Sequence, residues 1–427
     1  MPEKDAANAI LKLFEALLTA SIINSNLKLG INDLSPIHRQ LFGINGSIAE
    51  IKRPVTISEG ALQRVLGISA AYQKLKRNPF VKYEDFGQRL SVTAVEPAAR
   101  WFIKKGGESF ISKNPVLAYY FEEIQASPIP YADVKVQNLP FEDTRAYLDS
   151  KVAMILKEDE TMKSAPDLVI LSAPEEIEQS LENLVCTQRQ IDVIKKIKTA
   201  LRHQEYLKEM RIYELGKLLF IGPPGTGKTS LSLALSHEIH MPIIEVRLSM
   251  VTSQYLGETS KNIDKIFEFA KRMTPCILFI DEFDYVAKSR VTDDHGAMKR
   301  AVNMLLKNID RISLIQDGVL LIGATNHPQL LDDAAWRRFD DVVEFPLPDH
   351  NVRKEILSKF LSQFEYDCDL EELAKRSEGF SGSDLHIIVK EGLIASLARS
   401  SQRIEKQDLE KGIKLITDRN SIRFTER

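Results

Sequence analysis

The glycine-rich stretch GPPGTGKT, residues 222–229, constrains the fold of this 427-residue chain more than any other feature. It follows the apolar run KLLFIG (217–222), which predicts a buried strand, and it opens a segment of helical periodicity at 228–240. A strand, a G-x-x-x-x-G-K-T loop and a helix in this order are typical of phosphate-binding loops, because the glycines let backbone N–H groups approach the phosphates. We expect Lys228 to reach the β- and γ-phosphates and Thr229 to ligate Mg²⁺. The candidate nucleotide-binding residues of this loop are Gly222, Pro223, Pro224, Gly225, Thr226, Gly227, Lys228, Thr229 and Ser230.

Further apolar runs alternate with amphipathic helical patterns from about residue 180 onward. Such alternation predicts a parallel sheet covered by helices on both faces. After Pro348 the periodicity is helical, which predicts a small helical lid. The predicted strands after the first are 242–248, 276–282, 319–326 and 341–347, and the helical patterns between strands include 258–272 and 297–311.

The length of the chain allows two or three domains of about 100–200 residues each. The stretch 157–176 is charged and punctuated by proline, and is typical of a linker with a short apolar segment. We predict an α/β fold: a five-stranded parallel sheet sandwiched by helices, then a small all-helical lid, preceded by a mainly helical N-terminal domain. The predicted boundaries are 1–165 for a domain that recruits substrate or partner, 166–180 for the linker, 181–348 for the large α/β subdomain and 349–427 for the lid.

Polar residues end two of the predicted strands. Asp281 and Glu282 close the run ILFIDE, and Asn326 closes the run VLLIGATN. Ligands of parallel sheets bind beyond the carboxyl ends of the strands, so these side chains are expected beside the phosphate loop. Asp281 suits a metal-holding role, Glu282 suits a general base that polarises the attacking water, and Asn326 is able to orient that water.

The order of five motifs resembles the ATPase module of the AAA+ superfamily, in the AAA family proper. The motifs are the phosphate loop, DE at 281–282, TN at 325–326, RRFD at 337–340 and GFSGSDL at 379–385. The resemblance covers about residues 180–420. It implies that the chain hydrolyses ATP with Mg²⁺ in a homo-oligomeric ring, commonly a hexamer, with ATP bound between neighbouring subunits.

In this family, arginines at the far edge of one subunit reach the γ-phosphate held by the next. The resemblance assigns that finger role to Arg337 and Arg338. The contiguous RRF is similar to the katanin, spastin and ESCRT-disassembling branch and to stand-alone prokaryotic AAA proteins. A local alternative is that Asp340 and Asp341 pair with one of the arginines as an exposed salt bridge, which would be worth only about 0–1 kcal/mol.

Two further elements of the resemblance lie around the base and ribose. Gly382 and Ser383 match the lid element, with Ser383 where the family has alanine. The segment ENLVC (182–186) stands where the family has an acid-Ile-x-Gly element near adenine, and Cys186 replaces the glycine. We therefore carry over only Val185 from this element.

The segment TSQYLGETSKNIDKIF (252–267) resembles the family's central-pore loop, whose aromatic tip grips a threaded polypeptide. Tyr255 takes the aromatic position and Leu256 the apolar position beside it. Gln254 stands where many members of this family have a lysine, so an electrostatic preference for acidic substrates is not expected. The alternative is a tyrosine packed at a strand–helix corner.

The composition sets the remaining expectations. A net charge of −3 gives no global reason to expect nucleic acid, and the basic run KLKRNP (74–79) is interpreted as a solvated face. The cysteines, three in all, have neither zinc spacing nor disulfide density, which favours a reducing, cytoplasmic setting.

The apolar N-terminal stretch has helical spacing from Ile10 to Ile22 and predicts a core helix with no membrane span. HEIH (237–240) is one residue short of the zinc-protease spacing, so no metal site is expected there.

Three hypotheses for function remain open. The favoured one is a protein-remodelling motor that threads or disassembles protein substrates through a central pore, with a protease or another effector possible only as a separate partner. The alternatives are an ATPase that acts on nucleic acid and a regulatory ATP-binding switch. The aromatic Tyr255 and the paired arginines favour the first. The full hydrolytic set of Glu282, Asn326 and both arginines argues against the switch.

Overall fold

The computed structural model describes residues 2–44, 51–85, 87–138, 140–246, 256–284, 296–331 and 333–425 of the chain. The chain forms two compact units, Met1–Met154 and Ile155–Arg427. This division falls 11 residues before the predicted boundary at 165, so residues 155–165 belong to the second unit.

The N-terminal unit is built around its first helix. The predicted core face of this helix is largely confirmed, since Leu13, Phe14, Leu17, Leu18 and Ile22 are buried and Ile10 is partly buried. Among the described residues, no helix is long and apolar enough to cross a membrane. The helices of this part of the chain are α1 (Pro2–Ser25), α2 (Pro36–Leu41), α3 (Glu59–Leu66), α4 (Ala71–Leu75), α5 (Val95–Lys104), α6 (Glu108–Ile111), α7 (Pro115–Glu123), α8 (Tyr131–Gln137) and α9 (Arg145–Glu158), whose last four residues belong to the second unit.

A small antiparallel sheet, which the sequence pattern does not predict, interrupts these helices. Its strands are β1 (Ile57–Ser58), β2 (Val81–Glu84) and β3 (Arg89–Val92), and β3 lies in the middle. Ile57 pairs with Leu90, which is buried and pairs in turn with Tyr83. Strands of two to four residues are too short for an alternating pattern to stand out from the surrounding helices.

The second unit contains a six-stranded sheet that positions the candidate site. The five predicted strands are all present and are mutually parallel, and a sixth strand pairs antiparallel at one edge. In spatial order the strands are β4 (Val169–Ser172), β6 (Ile243–Val246), β7 (Cys276–Ile280), β8 (Val319–Thr325), β5 (Lys217–Ile221) and β9 (Asp341–Glu344).

The sixth strand, β4, comes from the segment that the sequence pattern assigns to a linker. Val169 pairs with Val246 and Ser172 with Ile243, so this stretch belongs to the sheet. Every residue of β7 and β8 is buried, as expected for strands covered on both faces. Unbroken apolar strands of this kind are easily recognised in the sequence, whereas a four-residue edge strand is not.

The remaining helices surround the sheet or form the lid. The lid has its own apolar core, which includes Leu357, Leu385, Ile388 and Ile416. Before the lid come α10 (Gln188–Arg202), α11 (Gln204–Glu209), α12 (Lys228–Ile239), α13 (Leu256–Arg272), α14 (Gly296–Asp310), α15 (Leu314–Asp317) and α16 (Asp333–Trp336). The lid consists of α17 (His350–Leu361), α18 (Leu370–Arg376), α19 (Gly382–Ala398) and α20 (Lys406–Thr425), with a parallel bridge between β10 (Tyr366–Asp367) and β11 (Ile404–Glu405).

Candidate functional site

The loop between β5 and α12 has the backbone that its glycines require. Gly222, Gly225 and Gly227 all have positive φ angles, at 149°, 76° and 100°. A Cβ atom on Gly222 would lie 2.1 Å from the Phe345 carbonyl oxygen, so only glycine fits there. The loop therefore delivers the N-terminus of α12, with its free N–H groups, to the carboxyl edge of the sheet.

Lys228 is the first residue of α12 and is only 6% exposed. Its Nζ donates hydrogen bonds to the carbonyl oxygens of Gly222, at 2.7 Å, and of Pro223, at 2.8 Å. Burial lowers the pKa of this ammonium group, while the charges of Asp281 and Asp284 act in the opposite direction. A buried cation held by its own loop is suited to meet an anionic ligand.

Asp281 follows β7 and lies beside the loop. The Thr229 hydroxyl donates to Asp281 Oδ2 at 3.4 Å, a long contact that brings two oxygen ligands together. Magnesium prefers hard oxygen ligands of this kind, so the donor set fits Mg²⁺. We find no cluster of three or more metal-ligating side chains in the part of the chain that the structure describes, HEIH included.

Glu282, the next residue, adopts a left-handed backbone with a φ angle of 50°. This conformation costs a non-glycine residue about 1 kcal/mol and is concentrated at functional sites. The Glu282 N–H donates to Asp281 Oδ1 at 2.7 Å, which holds the turn, and the side chain is exposed. The turn thus separates two adjacent carboxylates: Asp281 lines the nucleotide-sized cavity, and Glu282 stands outside its lining.

Asp284 is a residue of this edge that the sequence motifs do not single out. It is 4% exposed and accepts a hydrogen bond from the Thr325 hydroxyl at 2.8 Å. The same hydroxyl accepts from the His327 N–H at 3.0 Å. These bonds fix the end of β8 on either side of Asn326, which lines the cavity. The signal for this residue in the sequence is the second aspartate of DEFD.

The lid closes the other side of the site through the start of α19. Ser381 caps this helix, accepting from the Asp384 N–H at 3.3 Å, and its own N–H donates to Asp384 Oδ2 at 2.9 Å. The Ser383 N–H donates to the Gly225 carbonyl oxygen at 3.0 Å. The N-termini of two helices, α12 and α19, therefore converge on the same loop.

These elements enclose a cavity of about 960 Å³. Among its lining residues are twelve of the sequence-predicted ones: Val185, Pro224, Gly225, Thr226, Gly227, Lys228, Thr229, Ser230, Asp281, Asn326, Gly382 and Ser383. Gly222 and Pro223 are not in the lining and instead hold Lys228 through their carbonyl groups. The volume lies within the range of pockets that take cofactor-sized ligands, about 300–1,000 Å³.

The lining also contains lid residues that sequence reasoning missed. The rings of Phe360 and His386 pack edge to face at 5.1 Å, and both residues line the cavity. Lys359 donates to the carbonyl oxygens of Glu182, at 2.6 Å, and Leu184, at 2.9 Å. The lid therefore holds the segment that carries Val185 and Cys186. His386 lies one helical turn beyond Gly382 on the same helix, so the spacing of four residues is the signal for it in the sequence.

The paired arginines have different surroundings. Arg338 Nε donates to Asp310 at 3.0–3.1 Å, and its guanidinium also bonds to the Ala334 carbonyl. Arg337 is exposed, and its side chain has no hydrogen bond or ion pair with any residue that the structure describes. Neither arginine lines the cavity of its own chain.

The local salt-bridge alternative for these arginines does not hold. Asp341 pairs with Arg189 at 3.1 Å and with Lys196 at 2.5 Å. Asp340 accepts a hydrogen bond from the Lys217 N–H at 2.9 Å, and partial desolvation raises the pKa of its carboxyl group. Both aspartates are therefore engaged with β5 and α10 and leave the arginines to other partners.

The candidate pore residue Tyr255 lies outside the described residues. Leu256, the neighbouring pore candidate, is the first residue of α13.

Two known protein families match the sheet and the lid of the second unit separately. The family described as ATPase family associated with various cellular activities (AAA) matches residues 218–347, and the AAA+ lid domain matches residues 367–411. The crystal structure of the FIGL-1 AAA domain aligns with a TM-score of 0.51 at 23% identity, covering 61% of this chain and 91% of that one. At this identity the likeness concerns the fold alone.

Three curated relatives align over about half of the chain. A putative 26S proteasome regulatory subunit homolog of Methanothermobacter marburgensis is 33% identical over 51% of this chain and 60% of its own length. Spastin of Ixodes scapularis is 34% identical over 58% of this chain and 37% of its own. An AAA family ATPase of Sinorhizobium fredii is 31% identical over 56% of this chain and 71% of its own. The chain thus spans less than two thirds of the first two relatives.

A phosphate loop at the edge of a parallel sheet, closed by a helical lid, defines a nucleotide-binding ATPase module. The chain belongs to the AAA family of ATPases, which confirms the family that the ordered motifs indicated.

Proposed function

We propose that this chain is an ATP-driven protein-remodelling motor. It assembles into a ring, of six subunits in the arrangement common to the family, and hydrolyses ATP at the interfaces between subunits. The energy is used to thread or disassemble protein substrates through a central pore. Cys186, Cys276 and Cys368 form no disulfide in the described part of the chain, which suits a reducing compartment such as the cytoplasm.

The hydrolytic roles rest on the geometry around the phosphate loop. Lys228 and the N-termini of α12 and α19 favour the triphosphate by their positive potential. Thr229 and Asp281 would hold Mg²⁺, which supplies further positive charge to the phosphates. Glu282 acts as general base on the attacking water, and Asn326 orients that water. The displacement of Glu282 from the cavity lining suits a group that meets water beyond the terminal phosphate.

The observation that carries the shared site concerns Arg337. It is an exposed guanidinium with no partner among the described residues, next to two aspartates that are engaged elsewhere. Its counter-charge is therefore best supplied by another molecule. We assign that charge to the γ-phosphate held by the neighbouring subunit, with Arg338 positioned beside it by Asp310.

The substrate assignment rests on the predicted pore loop with Tyr255 and Leu256. The N-terminal unit would recruit the substrate. A protease or another effector would act only as a separate partner.

A mixing experiment tests the shared site directly. We expect Glu282→Gln to bind ATP with unchanged affinity but to lose turnover by about 10²–10⁴-fold, the usual contribution of a general base. An Arg337→Ala/Arg338→Ala protein should be equally inactive. In a 1:1 mixture about a quarter of the interfaces in a head-to-tail ring combine an intact Glu282 with intact arginines, so steady-state ATPase activity should recover.

The control for the mixing experiment is a mixture that contains only one of the two variants. Each inactive variant mixed with a second preparation of itself should show no recovery. Inactivity at every mixing ratio, with oligomers of mixed composition demonstrated by affinity tags, would contradict the shared site. Turnover of Glu282→Gln near that of the wild type would contradict the general-base role.

A further inference from the structure

The small sheet of the N-terminal unit, together with the helices around it, has a specific order along the chain. A helix, α2, is followed by β1, then by the helix pair α3 and α4, and then by the hairpin of β2 and β3. In space the strand order is β1, β3, β2, all antiparallel. This is the arrangement of a winged helix-turn-helix, in which the hairpin forms the wing.

The turn between α3 and α4 has the features of a helix-turn-helix. Residues 67–70 connect the two helices, and Gly67 ends α3 in a left-handed conformation with a φ angle of 67°. The Glu59 carboxylate at the start of α3 accepts a hydrogen bond from the Tyr72 N–H at 3.1 Å. Leu62 and Leu75 are buried on the inner sides of the two helices. These contacts fix the second helix against the first.

The end of the second helix and the turn that follows it are basic, with Lys74 in α4 and Lys76 and Arg77 just after it. Lys74, Lys76 and Arg77 are all exposed, and they are the cations of the run KLKRNP. Lys74 Nζ bonds to the Ser69 carbonyl, whereas Lys76 and Arg77 have no polar partner within the described residues.

The charges are also segregated along the sequence. Residues 60–83 contain five basic residues and no acidic one, although the whole chain has 57 basic and 60 acidic residues. A solvated surface of average composition would carry both signs.

The wing supports this surface on one side. The rings of Tyr72 and Tyr83 stack at 4.1 Å, which joins α4 to β2. Lys82 and Arg89 are exposed on the hairpin, but Lys82 pairs with Glu84 at 3.2 Å, and Asp85 adds a second acid near the tip. The basic surface is therefore centred on α4 and the residues that follow it.

We propose that this surface binds duplex DNA, with α4 directed to the major groove and Lys74, Lys76 and Arg77 contacting phosphates. The second helix of a helix-turn-helix fits the major groove of B-form DNA, whereas the major groove of A-form RNA is too deep and narrow for it. The proposal changes the interpretation of KLKRNP as a solvated face and goes beyond the proposed motor function. A motor with this surface would be brought to proteins held on DNA.

The test is a binding titration of the full chain, without nucleotide, against a fluorescein-labelled 30-base-pair DNA duplex of mixed sequence. Binding followed by fluorescence anisotropy should weaken steeply as NaCl rises from 50 to 200 mM, because phosphate contacts release counterions. The variant Lys74→Glu/Lys76→Glu/Arg77→Glu should bind at least about tenfold more weakly. Its plot of log affinity against log salt should be shallower by about 2.7, at about 0.9 for each lost phosphate contact.

A variant with the same charge change elsewhere in the unit provides the control. Lys104, Lys105 and Lys113 are also exposed, and Lys104→Glu/Lys105→Glu/Lys113→Glu should bind DNA like the wild type. Because all six side chains are exposed, the circular dichroism and thermal unfolding of both variants should match the wild type.

Three outcomes would each overturn the proposal. The first is equal weakening of DNA binding by the two variants. The second is absence of DNA binding at about 10 µM protein in about 50 mM NaCl, conditions in which phosphate contacts are strong. The third is tighter binding to an RNA duplex of the same length. The proposed motor function is judged separately, by the ATPase mixing experiment.

Discussion

Lys228 in the second unit and Glu15 in the first are both ionisable side chains that the fold removes largely from water, but their surroundings differ. Lys228 lines an open cavity, and its ammonium group donates to two carbonyl groups of its own loop. Glu15 lies in a polar cluster within the N-terminal core. Asn114 donates to it at 3.1 Å and to Thr19 at 2.9 Å, and His38 Nε2 is 4.0 Å away.

The protonation of the two clusters differs accordingly. Burial raises the pKa of Glu15 to about 7, against the hydrogen bond from Asn114, and burial lowers the pKa of His38 to about 4. The cluster of Glu15 and His38 therefore favours neutral forms and satisfies them internally, for example through the 2.7 Å contact between Ser35 Oγ and His38 Nδ1. In the second unit, Lys228 lines the cavity and the exposed Arg337 has no side-chain partner among the described residues, which suits both cations to an anionic ligand. Substitutions of Lys228 and Arg337 should therefore affect function, and substitutions of Glu15 and His38 should affect stability.

The largest expected effect concerns the two arginines. Arg337→Ala should reduce ATP turnover by about 10³-fold or more, since a finger supplied in trans contributes about 10³–10⁵ in related phosphoryl-transfer systems. Arg338→Ala should reduce it less, because Asp310 already engages that guanidinium. Steady-state ATPase assays measure both, and thermal unfolding should be unchanged because the side chain of Arg337 is exposed.

A matched control for these substitutions is Arg202→Ala, an exposed arginine at the end of α10 that is expected to leave turnover unchanged. A larger loss of ATP turnover with Arg338→Ala than with Arg337→Ala would contradict this expectation and would assign the finger role to Arg338, the arginine that pairs with Asp310.

The next effect concerns the buried cation itself. Lys228→Met keeps the length of the side chain but removes the charge, and should weaken ATP binding by about 10²-fold, the value of one strong charged hydrogen bond. Without nucleotide, the free energy of unfolding should not fall, because burial already disfavours the ammonium form. Titration with a fluorescent ATP analogue and urea unfolding test the two statements.

A clear loss of stability in the Lys228→Met protein without nucleotide would show that the lysine is a structural group of the loop. Lys228 would then serve stability, as Glu15 and His38 are expected to do, and the contrast between the two units would be lost. Lys307→Met, on an exposed part of α14, controls for the loss of a lysine as such.

The parts of the molecule that the sequence predicted are those in which chemistry is local. The phosphate loop, the unbroken strands β7 and β8, and Asp281 beside Glu282 each lie within a few residues, and so their spacing carries the information. The partners that the sequence does not reveal are far apart in the chain. Arg338 meets Asp310 across 28 residues, Asn114 meets Glu15 across 99, and Lys359 meets the Glu182 carbonyl across 177. Such pairs depend on how elements pack, which periodicity does not report.

The smallest expected effect concerns the pH dependence of the first unit. His38→Gln retains Glu15, whose raised pKa gives stability that is present below pH 4.5 and lost as pH rises through 7, so its unfolding free energy should fall by about 2 kcal/mol between pH 5 and 6.5. Glu15→Gln retains His38, whose lowered pKa gives stability that is present above pH 6.5 and lost as pH falls through 4, so the same interval should bring a rise of about 2 kcal/mol. In the wild type the two contributions cancel over this interval. Urea unfolding at several pH values, followed by a probe in the N-terminal unit, measures the slopes, and parallel slopes in the two variants would contradict the assignment of neutral forms to this cluster.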